Sequence, residues 1–164
     1  MALTFVLAIK LLLLLLAANG SPVLAKWLLR DKWAYPLDGG LRFADGRPLL
    51  GHSKTIRGVL TGTLATAALA PLLGISWTTG ALLGLASLAG DAFSSFIKRR
   101  CKIPPSGRAL GVDQIPEALL PLWLFRNALG LDPVSLLVLV CLFTVGGLAL
   151  SRVMFRLGVR DRPY

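Results

Sequence analysis

The residues equipped for chemistry are gathered in Gly90-Asp91-Ala92-Phe93-Ser94-Ser95-Phe96-Ile97-Lys98-Arg99-Arg100, where a carboxylate stands inside an apolar run that ends in three consecutive cations. Burying an ionisable side chain at membrane depth costs roughly 3 kcal/mol or more, so an acid held there is a functional-site candidate. On an α-helix, Ser87, Asp91, Ser95 and Lys98 fall on one face as a polar seam, and Phe93, Phe96 and Ile97 fall outside it. The rise from Asp91 to Lys98 is about 10 Å, which puts the carboxylate just beneath the basic end. A divalent metal beside a phosphate is the chemistry such a set supports. The alternative is a structural Asp91, paired with Lys98 or with a cation from another span.

A second acid, Asp113, follows Pro104-Pro105-Ser106-Gly107-Arg108 and precedes an apolar run that starts at Ile115, which brings it to the same interface. Magnesium is usually held by one or two carboxylates plus substrate phosphates and waters, a demand that Asp91 and Asp113 can meet together. Asp113 also suits a helix N-cap, and the two roles are compatible. His52-Ser53-Lys54-Thr55-Ile56-Arg57-Gly58 opens another apolar run with two cations and two hydroxyls. Helix-start amides with Lys and Arg form a phosphate cradle, whereas cations that merely flank a span anchor it. Without a preceding glycine-rich loop, Lys54-Thr55 is no Walker motif, and His52, the sole histidine, reads as a loop residue.

The elements that must position these groups are membrane helices. A mean hydropathy of +0.70 and 55% hydrophobic residues exceed the roughly 45–50% apolar share of a soluble domain. Apolar runs cover Ala2–Ala18, Ile56–Leu73, Thr78–Ile97, Ile115–Leu129 and Val134–Leu150. Each is near the ~20 residues that cross a bilayer core, and the fourth needs flanking residues to do so. The expected fold is therefore an all-α integral membrane protein of five transmembrane helices with a cytoplasmic loop region.

Charge placement agrees with that count. Of 18 cations, Lys26, Arg30, Lys32, Arg42, Arg47, Lys54 and Arg57 lie between or at the edges of spans one and two. Lys98, Arg99, Arg100, Lys102 and Arg108 lie between spans three and four, and Arg152, Arg156, Arg160 and Arg162 follow span five. Only Lys10 and Arg126 stand elsewhere. A net charge of +10 distributed in this way follows the positive-inside rule and not a nucleic-acid partner. It predicts an integral inner-membrane protein with the amino terminus outside and the carboxyl terminus and site in the cytoplasm. Cys101 and Cys141 fall in a cytoplasmic segment and a span, where no disulfide is expected. The apolar start has no basic n-region, so it reads as a span and not as a cleaved signal.

Asn19-Gly20-Ser21-Pro22 is expected to break the first helix. Trp27, Trp33 and Tyr35 among Lys26, Arg30 and Lys32 then read as an interfacial belt. Asp38-Gly39-Gly40 and Asp45-Gly46 are turn signals that predict a compact loop or short hairpin over residues 36–54. Gly58 with Gly62, and Gly80 with Gly84, repeat at the four-residue spacing that lets helix backbones approach closely. No internal repeat of the transporter kind is found in the sequence.

Taken together, Ala18-Asn19-Gly20-Ser21-Pro22, Asp45-Gly46-Arg47, Gly51 to Gly58, Gly90-Asp91, Ser95-Phe96-Ile97-Lys98-Arg99-Arg100 and Asp113-Gln114 resemble the CDP-archaeol synthase family and its bacterial relatives. Ser95-Phe96-Ile97-Lys98-Arg99 followed by Asp113 is more distantly similar to CDP-diacylglycerol synthases. The resemblance implies a single transmembrane cytidylyltransferase-like domain over residues 1–164, which joins CTP to a lipid phosphate with magnesium and releases pyrophosphate. Asp91, Asp113 and Lys98 are the expected catalytic residues, with Asp91 and Asp113 on the metal. Asn19, Ser53, Lys54, Thr55, Arg57, Ser95, Arg99 and Arg100 are the expected substrate-binding residues. The chain departs from the family where another Asp usually stands three residues after the Asp of Asp-Gln; here the acid falls at Glu117.

A phosphate oxygen of the lipid is already ionised at neutral pH, so its attack on the α-phosphate of CTP needs no general base. The difficulty is electrostatic, and metal with surrounding cations answers it. Two rival readings are a non-enzymatic carrier or packing subunit that binds anionic headgroups, and a lipid-phosphate phosphatase. The first explains the charge and leaves the acids unexplained.

Overall fold

The computed structural model describes residues 4–104 and 113–160; Ala2, residues 105–107, Arg108 and Arg162 of the sequence reading lie outside them. Among the described residues six helices follow one another: α1 Phe5–Leu29, α2 Ile56–Leu72, α3 Trp77–Arg100, α4 Gln114–Leu124, α5 Arg126–Leu129 and α6 Pro133–Arg156. Four start on side-chain caps, in which Thr4, Thr55, Ser76 and Asp132 accept from the amides of Leu7, Gly58, Thr79 and Ser135. Helices α1, α3 and α6 are long and apolar enough to cross a membrane, and α2 is a shorter apolar helix. The protein is thus an all-helical integral membrane protein.

Two elements differ from the sequence expectation, and each carries a proline inside a helix. The first helix does not break at Asn19–Pro22 but runs to Leu29 with Pro22 inside it. Pro22 has no N–H for the Ala18 carbonyl, and that carbonyl lies against Gly62 of α2, where a Cβ would sit only 2.6 Å from it. The neighbouring helix therefore covers the fault. The fourth span, expected over Ile115–Leu129, is divided at Phe125 into α4 and α5. At 11 residues, α4 is about 16 Å long, well short of a bilayer core. Pro121 within it leaves the Glu117 carbonyl without its helical partner, and Ser87 Oγ of α3 donates to that carbonyl at 2.8 Å.

The small-residue spacing serves packing, as expected. A Cβ at Gly84 would collide with the Thr66 side chain of α2, and one at Gly80 with Ala70 and the Thr66 carbonyl. Leu11, Leu14 and Leu15 of α1, Leu83 of α3, Leu122 of α4, and Leu139 and Phe143 of α6 form the apolar core. These lie in the first halves of α1, α3 and α6, so the core occupies one end of the bundle and leaves the other end to polar groups.

At that polar end residues 36–54 form a hairpin-like loop, with bridges of Pro36 to Thr55 and Arg42 to Pro48. Buried Asp38 is its knot, accepting from the amides of Gly40 at 3.0 Å, Leu50 at 2.8 Å and Gly51 at 3.1 Å. Burial pushes the Asp38 carboxyl up, but the three amides outweigh it and hold the group below its usual value.

Candidate active site

Helix α3 supplies the axis of the site. Ser87, Ser95 and Lys98 are buried along it, and Asp91, on the same face, keeps 22% of its side chain exposed. Phe93 is exposed on the opposite side. Ser94 is also buried and donates to the Asp91 carbonyl at 2.8 Å.

Neighbouring helices complete the cluster. Lys54, one residue before the α2 cap, pairs with Asp91 Oδ2. Lys98 pairs with Asp113 at 2.5 Å and is also near enough to act on Asp91 electrostatically. Asp113 holds the cap position of α4 but makes no side-chain cap bond there, its carboxylate being drawn to Lys98 instead. The two aspartates therefore lie in one neighbourhood, Lys98 pairing with one and within Coulombic reach of the other. Glu117, one turn into α4, lies within Coulombic reach of Asp91 and Asp113. Gly90 permits this: any Cβ there would strike the Pro116 carbonyl, so glycine lets the start of α4 lie directly on α3.

Asn19 connects α1 to the same region by donating to the Leu15 carbonyl at 3.0 Å and to Ser87 Oγ at 2.8 Å. Ser87 passes the chain on to the Glu117 carbonyl. The amide of Asn19 thus orients the helices that carry the acids, and its buried Oδ1 has no partner among the described residues.

The remaining expected residues fall into other environments. Thr55 caps α2 through its hydroxyl. Ser53 is exposed in the turn before it. Arg57 is buried and donates to the carbonyls of Arg30, at 3.0 Å, and Lys32, where α1 ends. Arg100 binds Asp45 at 2.9 Å and the Pro48 carbonyl at 2.7 Å, and stands over the rings of Phe43 and Phe96. Arg99 is buried and donates from Nη2 to the Pro104 carbonyl at 2.8 Å. The structure thus brings the expected Asp91, Lys54, Lys98 and Asp113 to one end of the bundle, with Asp91 paired to a cation from outside α3, the pairing named for a structural Asp91. Sequence spacing missed Ser87 as a ligand of a proline-freed carbonyl, for which the signal was a proline four residues after an acid on α4.

Among the described residues, no three His, Cys, Asp or Glu side chains are grouped so as to hold a metal unaided. The arrangement can instead present carboxylates and lysines together to a polyanion.

An intramembrane bundle with acids and lysines at one end defines a membrane-embedded enzyme class, and the comparisons specify it. The family model for CarS-like CDP-archaeol synthase matches residues 3–164. The chain is 36% identical over 156 residues to the CDP-archaeol synthase of Thermofilum pendens, covering 90% of this chain and 75% of that one. It is 36% identical over 152 residues to that of Pyrobaculum calidifontis, covering 90% of each. A solved structure of an intramembrane enzyme for archaeal membrane lipids biosynthesis superposes with a TM-score of 0.74 at 32% identity, over 87% of this chain and 90% of that one. The chain belongs to the CarS-like CDP-archaeol synthase family.

Proposed function

We propose that this protein joins CTP to a membrane lipid phosphate at the cluster of Asp91, Asp113, Lys54 and Lys98. As a family member it is an integral-membrane, CTP-dependent cytidylyltransferase that forms a CDP-lipid in membrane lipid biosynthesis. A single observation carries the site assignment: two aspartates far apart in sequence each pair with a lysine, Asp91 with Lys54 and Asp113 with Lys98, and Lys98 also lies within Coulombic reach of Asp91.

A phosphate oxygen of the lipid attacks the α-phosphorus of CTP, a new P–O bond forms, and the α–β bridging bond breaks. Pyrophosphate leaves with the bonding electron pair, and no proton needs to move. Lys54 and Lys98 exchange their carboxylate partners for phosphate oxygens, which offsets the repulsion between two anions. The hard oxygens of Asp91 and Asp113 fit magnesium, which takes one or two carboxylates together with substrate phosphates. When bound it would supply Lewis-acid stabilisation of charge on those phosphates. Ser95 lies one turn from Asp91 and is placed to orient an oxygen.

Orientation belongs to the same reading: the loop end and the carboxyl terminus face the cytoplasm and the amino terminus lies outside, as the clustered cations favour. Helices α4 and α5 with their flanking residues make the fourth of five crossings. The test is purified protein in nanodiscs with labelled CTP, magnesium and separate ether-linked isoprenoid, diacyl and polyprenyl phosphates. A cytidine-lipid product identified by mass, with pyrophosphate released, is expected. Inorganic phosphate alone, or no product from any lipid, would overturn the reading.

A further inference from the structure

The hydroxyl of Ser87 leaves its own helix. A serine or threonine inside a helix ordinarily bonds back to a carbonyl of the preceding turn, as Thr66 does to Gly62 and Thr144 to Val140. Ser87, with no exposed surface, donates instead across to α4, to the Glu117 carbonyl at 2.8 Å. Its oxygen also accepts from Asn19 Nδ2 at 2.8 Å, and that amide is itself held on the Leu15 carbonyl at 3.0 Å. A hydroxyl has one proton to give, so the bond received from α1 leaves that proton aimed at α4.

The acceptor on α4 exists because Pro121, four residues after Glu117, has no N–H to offer it. In an apolar bundle such a carbonyl must find its donor on another helix. Gly90, three residues after Ser87, makes a second contact with the same stretch, since any Cβ there would strike the Pro116 carbonyl. Ser87 and Gly90 thus hold two successive peptide units of α4 within about 4.5 Å along α3. The glycine sets how closely the two helices approach. The directional bond from Ser87 sets how far α4 slides along α3. Asp113 lies one turn before Glu117, about 6 Å along the helix axis, and pairs with Lys98 of α3 at 2.5 Å. A slide or roll of α4 at the Ser87 contact is therefore passed on to Asp113.

We propose that Ser87 is a positioning residue for the reaction: by holding the carbonyl that Pro121 frees, it seats α4 at the register in which Asp113 reaches Lys98 beside Asp91. It acts through α4 and not on the reacting phosphates. The proposal rests on the cytidylyltransferase reading of the Asp91–Asp113 cluster.

The test compares the full chain in phosphatidylcholine nanodiscs with Ser87→Ala, Pro121→Ala and the double variant, using CTP, magnesium and the lipid phosphate that the parent turns over. Ser87→Ala should lower kcat about tenfold or more and leave KM for CTP within about twofold, because a small misplacement of reacting groups costs rate. Its thermal midpoint should also fall, since the Glu117 carbonyl is orphaned. In the double variant residue 121 donates to that carbonyl within α4, so the midpoint should return to that of the parent while kcat stays low. A merely structural serine would let kcat recover with the midpoint. Pro121→Ala alone should turn over as the parent does, because a carbonyl oxygen has two lone pairs and keeps Ser87.

Spin labels on Phe93→Cys of α3 and Ile115→Cys of α4, both exposed positions, read the seating without turnover in a Cys101→Ser, Cys141→Ser background. Their distance should shift or broaden in Ser87→Ala and in the double variant. Parent-like kcat in Ser87→Ala, recovery of kcat in the double variant, or Pro121→Ala alone as slow as the double would overturn the proposal. Turnover by the parent with a label distance that Ser87→Ala leaves unmoved removes the seating and keeps the enzyme. A distance that moves while the parent makes no cytidine lipid removes the enzyme and keeps only the seating.

Discussion

Two groups of cations stand within a few turns of each other and differ in what they touch. Lys54 and Lys98 pair with the carboxylates of Asp91 and Asp113. Arg57 is tied to backbone carbonyls at the end of α1, and Arg100 to the Pro48 carbonyl and the Asp45 carboxylate of the 36–54 loop. A lysine on a carboxylate is a point charge that can move to an incoming phosphate, whereas a guanidinium fork fixed on carbonyls holds chain segments in register. Identical charge therefore meets the carboxylates of the proposed site in one region and holds architecture in the other.

That contrast can be broken most directly at Asp91. Asp91→Asn keeps the shape and removes the charge, and CDP-lipid formation should fall by about a thousandfold or more while the protein still inserts and purifies as the parent does. Labelled CTP incorporation reads the loss. Lys98→Met should lower kcat/KM by about a hundredfold, with partial recovery in Lys98→Arg, because the charge matters more than the head's shape.

Arg57→Met should behave oppositely. Losing a buried cation's bonds to two carbonyls should cost about 3 kcal/mol of stability, seen as a lower thermal midpoint in detergent, with a much smaller change in KM for CTP. Thr55→Ala sharpens the contrast further by removing only the α2 cap, for about 1 kcal/mol. The smallest effect is conditional on pH. Asp38 has a carboxyl held below its usual value of 3.8, so its contribution is fully present above about pH 4 and fades as pH falls through the lowered value. Proteolytic nicking of the 36–54 loop should therefore rise only below that point in the parent, and Asp38→Asn should flatten the dependence.

Gly90 and Pro121 show how far the chain could be read without coordinates. The polar seam on α3 follows from helical periodicity, and the structure places Ser87, Asp91, Ser95 and Lys98 together as the spacing implies. Pro22 and Pro121 were less legible, because their effect depends on what a neighbouring helix offers the carbonyl each one frees. Gly62 covers one and Ser87 satisfies the other. Glu117 was visible as a departure from the family pattern, but its closeness to Asp91 depends on α4 lying against Gly90.

The sequence by itself determined that the chain lives in a membrane, that acids and cations collect at one end of its helices, and which family it resembles, because apolar run length, periodicity and charge placement are local properties. Only the tertiary structure decided which cation meets which partner. Lys98 pairs with Asp113 and Lys54 with Asp91, Arg57 is bound to backbone, Arg100 to Asp45 and the Pro48 carbonyl, and Arg99 has two buried donors with no partner among the described residues. Those outcomes depend on helix-to-helix distance, and in a medium without water each polar group must find its partner on whichever helix packing brings near.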